Sequence, residues 1–205
     1  MRLSEADRER IERAVAEAEA RTGAEIVVMV AEDVTDPRAW EVTVAAVLAL
    51  ALPGLLLAFE SVPALVIWLA QLVLFVALGV LLPVVGAGRR LMGAGRRAAA
   101  VRSAAEAAFF ARGLRNSSRR AAVLIFVALA EREAHVLWDD AAGAVGEGQW
   151  RGVAGDLARG MRGGAVADAL CEAARRAGEL LAARFPRAPD DANELPNVIM
   201  ERRAD

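Results

Sequence analysis

Apolar and polar positions alternate with different periods along this chain, and the periods predict its elements. From Ser4 to Thr22 the residues Leu3, Ile11, Val15 and Ala18 form a modest apolar stripe at helical spacing. Ser4 is placed to cap that helix, with Asp7 at its third position in a variant of the capping box, and Gly23 suits its C-terminal end. Ala24 to Ala31 (AEIVVMVA) is a short β-branched run and reads as a buried strand, broken by Asp33, Asp36 and Pro37. Two long apolar runs follow, Val42 to Phe59 and Val62 to Val85. As helices they would measure about 27 Å and about 36 Å at ~1.5 Å per residue. A hydrocarbon core of about 30 Å needs roughly 20 apolar residues, so the pair predicts a transmembrane hairpin. Only Glu60 and Ser61 separate the runs, which demands a tight turn with Pro53, Gly54 and Pro63 nearby. The stretch is too long and too uniformly apolar to be a buried hairpin in a soluble core of this size.

Beyond the spans, Gly86 to Arg97 reads GAGRRLMGAGRR, a tandem echo of GAGRR. On one continuous helix, Arg89, Arg90, Arg96 and Arg97 would share a single basic stripe. Ala98 to Arg115 is predicted to continue as a helix with Val101, Ala105, Ala108 and Phe109 on its apolar side. Ala121 to Ala130 (AAVLIFVALA) is the clearest strand, and the alternation from Glu133 to Trp138 makes it half of a β-hairpin turned at Glu131 and Arg132. Asp139, Asp140 and Gly143 end the hairpin. Trp150, Val153, Leu157 and Met161 mark one further helix, and Val166, Leu170, Ala174, Ala177, Leu181 and Phe185 a longer one stopped by Pro186. The tail from Arg187 to Asp205 reads as polar. The expected fold is α/β: a small mixed β-sheet sandwiched by helices and interrupted by the transmembrane hairpin. Residues 1–38 and 98–205 would form one split domain, because neither piece has enough strands alone, and residues 39–97 the hairpin with its basic flank.

Composition agrees with that segregation. The chain is 56% apolar and 25% charged, yet between Val42 and Gly88 its only charged residue is Glu60. A net charge of −2 and the absence of tyrosine argue against nucleic acid as a partner. The first residues are too charged for the apolar core of a signal peptide, so export by cleavage is not expected. Arg89, Arg90, Arg96, Arg97 and Arg102 follow the second span, whereas the turn carries no arginine. The positive-inside rule then puts both flanks in the cytoplasm. These arginines either fix topology alone or also bind anionic lipid headgroups.

Candidate chemistry is sparse. Glu25, Asp139 and Asp140 stand at strand ends and together would suit a hard divalent cation, Ca2+ or Mg2+, through oxygen ligands. The competing reading is a solvated strand end with turn-forming aspartates, and both aspartates are expected to be exposed. His135 and Cys171 are the sole histidine and cysteine, too few for a zinc site and with no nucleophile near His135 in sequence. Cys171, Trp138 and Trp150 read as core. The glycines of GAGRR lack the GK[ST] of a phosphate loop. Gln71 is the one strongly polar residue inside the spans, which offers no polar path for transport. No catalytic residue can be assigned.

Taken in order, Arg21–Val30 (RTGAEIVVMV), Arg120–Arg132 (RAAVLIFVALAER), His135–Asp140 (HVLWDD), Trp150 at a helix start, and Phe185-Pro186 followed by Asn193–Asn197 (NELPN) resemble the TPM domain family. The likeness covers about three quarters of the chain and is greatest to a bacterial subgroup in which two membrane spans interrupt the domain after its first strand. It implies a multi-pass protein of the bacterial cytoplasmic (inner) membrane. It also implies an interaction or maintenance module for assembly or repair of membrane proteins, with the bilayer and another membrane protein as partners. Family members have been linked to acid phosphatase activity and divalent-cation binding, so the resemblance carries the alternative of a divalent-metal-dependent phosphatase. Where better-studied members enter the central strand through Asn-Asn-Gly, this chain has Asn116-Ser117-Ser118-Arg119-Arg120.

Overall fold

A computed structural model describes residues 3–56, 62–88, 92–116, 120–188 and 197–201. Helix α1 (Glu5–Glu19) starts at the predicted cap: the Ser4 hydroxyl accepts the Asp7 amide N–H at 3.1 Å, and the Asp7 carboxylate accepts the Ser4 N–H at 3.1 Å. Strands β1 (Ile26–Ala31) and β2 (Val123–Ala128) are buried at all six positions each and pair in parallel, Ile26 opposite Val123 through Ala31 opposite Ala128. Burial on both faces explains why both strands read as continuous apolar runs rather than alternating ones. β3 (Glu133–Trp138) is antiparallel to β2 and alternates between half-buried and buried residues over its first four positions, as an edge strand does.

A fourth strand was not predicted. β4 (Val198–Glu201) lies within the tail read as polar and pairs in parallel with β1, Val28 opposite Val198, giving the order β3-β2-β1-β4. β1 and β2 are shorter than the expected 24–31 and 121–130, β3 has its expected bounds, and the sheet is mixed, as expected.

Helices cover both faces of the sheet. On one, Ile26, Val28 and Val30 with Val123, Ile125 and Val127 pack against α1, α5 (Glu147–Arg162) and α6 (Val166–Ala182), through Ile11, Val15, Trp150, Leu157 and Leu170. On the other, Val27, Met29, Leu124 and Phe126 pack against Val101, Ala105 and Phe109 of α4 (Ala94–Ala111). α4 is thus the crossover helix that returns the chain from β1 to a parallel neighbour. It begins earlier than expected, at Ala94, and the chain is non-helical at Met92 and Gly93. Arg96 and Arg97 lie in the first turn of this helix, and Arg89 and Arg90, the other half of the expected basic stripe, lie outside the described residues.

The chain divides into two compact units, Met1–Val34 with Ala98–Asp205, and Thr35–Arg97. The second unit is a hairpin of α2 (Pro37–Leu56) and α3 (Ala64–Val84), in contact through buried Ala45, Ala49 and Ile67. Both helices, 20 and 21 residues, are long and apolar enough to cross a membrane. α2 starts before the predicted Val42, Pro53 lies inside it, and the predicted end at Phe59 lies outside the described residues. Among the described residues, the large exposed apolar side chains all lie on these two helices, except Val85, which caps α3, and Phe110.

Candidate functional site

The polar chemistry of the sheet gathers at the end where β1 and β2 begin and β3 finishes. There the Val123 N–H donates to the Glu25 carbonyl at 2.8 Å and the Asp139 N–H to the Ala122 carbonyl at 2.9 Å. Glu25, Ala122 and Asp139 therefore form one row across three strands, on the α4 face by alternation from Val27, Leu124 and Leu137. Two strand spacings put Glu25 and Asp139 roughly 10 Å apart at the backbone.

Asp139 is buried, at 1% exposure, which corrects the expectation of an exposed turn residue. Its Oδ1 accepts the Asp140 N–H at 2.8 Å and stands 3.5 Å from Arg120 Nη2, while Oδ2 is buried with no hydrogen-bond partner. Asp140 is exposed and accepts from Arg120 Nη2 at 2.6 Å, with Arg115 Nη2 at 4.0 Å. Arg120 itself holds φ at 51°, a left-handed conformation that favours glycine, and its carbonyl accepts the Ala141 N–H at 3.1 Å. A strained arginine thus supplies the positive charge between the two aspartates. The structure joins Asp139 and Asp140 but not Glu25: among the described residues, no group of three or more His, Cys, Asp or Glu is placed to hold a metal ion. Calcium takes 6–8 oxygens, and two carboxylates already shared with a guanidinium fall well short of that set.

Glu25 instead neighbours a carboxyl that the sequence did not single out. Glu19, the last residue of α1, is 7% exposed, and its Oε1 accepts the Ile26 N–H at 3.0 Å. Burial pushes its pKa up to about 7, with the negative charge of Glu25 adding to the rise. The Ile26 amide, Arg187 and Asn197 all pull the other way. Arg187 also donates from Nη1 to the Glu19 carbonyl at 3.0 Å, and Thr22 ties the same corner to the Phe185 carbonyl, through its hydroxyl, at 2.7 Å. One carboxyl thereby stands where α1 ends, β1 starts, and the chain passes from α6 towards β4. A signal was present, since Glu19 is four residues beyond Val15 and eight beyond Ile11, on the buried stripe.

His135 faces α4, with a pKa lowered mainly by burial and a hydrogen bond to the Ala98 backbone. Its Nε2 is buried without a hydrogen-bond partner. Cys171 packs with the cluster on the opposite face of the sheet, its thiol pKa raised by burial, so the two form no dyad. Trp138 and Trp150 stack with centroids 6.1 Å apart, and Trp150 Nε1 donates to the Ala142 carbonyl at 3.2 Å; both are core.

In the hairpin unit, Arg96 lies over the Trp40 ring, 4.8 Å from its centroid, and Arg97 Nη1 donates to the Met92 carbonyl at 3.0 Å.

No family model matches the chain, and no curated protein does. Among solved structures, the chain is similar to the NMR structure of the BA42 protein from the psychrophilic bacterium Bizionia argentinensis, with a TM-score of 0.61 and 17% identity over 98% of this chain and 97% of that one. At that identity the likeness shows a shared fold.

Proposed function

We propose that this chain is a TPM-like, membrane-anchored interaction or maintenance module of the bacterial inner membrane, supporting the assembly or repair of membrane proteins. The observation that carries the reading is the position of the exposed apolar side chains. They lie on α2 and α3, in the connection between two strands, β1 and β2, that pair side by side. In water such a surface is an aggregation hazard, whereas in a bilayer it is the solvated face. The basic segment that follows α3, with Arg96 and Arg97 among its described residues, would then meet the cytoplasmic headgroups, where each basic residue near an anionic surface contributes about 1 kcal/mol.

The test is fractionation and labelling in intact cells. The protein should resist alkaline carbonate extraction. In a Cys171→Ser background, Ser61→Cys should react with an impermeant maleimide and Ser117→Cys should not. Extraction by carbonate would remove the anchor, and the opposite labelling pattern would invert the topology.

A second reading, a divalent-metal-dependent phosphatase, is favoured by one feature: the buried, unpartnered Oδ2 of Asp139. Glu25 is not at hand to complete it. We expect no hydrolysis of a generic phosphomonoester with Ca2+ or Mg2+; metal-stimulated turnover lost in Asp139→Asn would favour the enzyme.

A further inference from the structure

We infer that α3 carries a homodimerisation face centred on Gln71, which joins two copies of this chain side by side in the membrane. The inference rests on the membrane reading above. Along the hairpin a groove of about 290 Å³ is lined by Ala46 and Ala49 of α2 and by Trp68, Gln71, Leu72 and Phe75 of α3. Gln71 is half-buried, and among the described residues its amide makes no hydrogen bond. It stands about 10 Å along α3 from Ala64, at ~1.5 Å per residue. A glutamine side chain is too short to reach the headgroups from that depth. Acyl chains offer its amide no hydrogen bond, and an unsatisfied amide in hydrocarbon is costly.

The chemistry of the amide selects the occupant. It carries both donors and an acceptor, so it is its own complement. A two-fold axis along the membrane normal brings each residue to the depth of its own equivalent, so two Gln71 side chains meet at one level and exchange reciprocal N–H···O bonds. A helix of unrelated sequence would need a polar group at that same depth. Trp68 and Phe75, one turn to either side, supply the apolar contact around the amide pair. Ala46 and Ala49 leave the groove shallow-walled, so a second helix can approach closely. Leu69 and Val73 point away from this face.

Single cysteines introduced into the full chain, with Cys171→Ser, test the inference by oxidative cross-linking in native membranes. Cross-linked dimer is expected at Trp68→Cys and Phe75→Cys, which keep Gln71, and not at Leu69→Cys or Val73→Cys. Single-molecule photobleaching in vesicles should show two-step traces. Gln71→Leu is expected to weaken association about tenfold and Gln71→Asn to retain part of it. Cross-linking around the whole helix, one-step bleaching of the unsubstituted chain, or capture of a different protein at position 68 or 75 would each overturn the dimer. A chain that stays in the carbonate-resistant membrane fraction but is monomeric sinks this inference alone. One that leaves the membrane sinks it together with the anchor.

Discussion

Gly88 lies directly against Glu41: its N–H donates to the Glu41 Oε1 at 3.1 Å, and a Cβ built on it would meet that oxygen at 2.4 Å and the carboxyl carbon at 2.8 Å. Glu41 is 4% exposed, so the contact fastens the start of α2 to the segment that leaves α3. The absence of a side chain at residue 88 is what makes room for the bond.

Gly88→Ala should therefore displace Glu41 and destabilise the hairpin by about 1–3 kcal/mol, the usual range for overpacking. Gly79→Ala on α3 is the control, because a Cβ there meets nothing within 4 Å. It should leave stability unchanged or raise it by up to about 1 kcal/mol. Thermal unfolding of the full chain in detergent, followed by tryptophan fluorescence, compares them; equal melting temperatures would remove the clamp.

Because β1 and β2 pair in register across six residues, the sheet should survive loss of the hairpin between them. Replacing Trp40–Gly95 with a Gly/Ser linker is expected to give a soluble protein that unfolds cooperatively, since loop closure costs only about 0.6 kcal/mol per doubling of length. Aggregation of that variant, with each flank folding separately, would contradict the single sheet.

Glu19 predicts a pH dependence. In the folded chain its carboxyl holds a proton up to about 7, against an ordinary value of 4.5. Between those values the folded state binds more protons than the unfolded one, so this group makes stability fall as pH rises through that window. Glu19→Gln keeps an oxygen for the Ile26 N–H and never ionises. Relative to the unsubstituted chain, the variant should gain on the order of 2–3 kcal/mol between pH 5 and pH 8. Urea titrations at the two pH values measure it; an offset equal at both would show that burial does not hold this proton.

Arg120 already serves Asp139 and Asp140, so millimolar calcium or magnesium should leave the melting temperature unchanged. A cation that bound the folded state would raise stability by about 2.7 kcal/mol at roughly 100 times its dissociation constant. A rise of that kind, abolished in Asp139→Asn with Asp140→Asn, would reinstate the metal site.

What could be read from the sequence was whatever local pattern determines. The Ser4–Asp7 box, the two central strands, the β2–β3 hairpin and both apolar helices follow from period, length and capping chemistry. β4 was missed because Val198, Ile199 and Met200 are too short a run to stand out beside Pro196 and Asn197; pairing with β1 makes them a strand. The candidate site divided in the same way. Asp139 and Asp140 were legible as strand-end carboxylates, but not the burial of one or the arginine between them, which depends on the left-handed turn at Arg120. Glu19 could have been placed on the buried stripe of its helix by spacing, but the partners Ile26, Arg187 and Asn197 around it come only from the fold.

The register of β1 against β2 also sets an order of events during synthesis. Val30 and Val127 are partners, yet about a hundred residues separate them, so this pairing must wait for a long stretch of chain to be made. β1 leaves the ribosome first and must wait, unpaired, while α2 and α3 are made. In the membrane-anchored reading the translocon takes up that hairpin before β2 exists. Insertion would then tether the waiting strand at the membrane surface, close to where its partner emerges. Membrane entry would come before folding in this protein, and the bilayer would hold the first strand in place for the second.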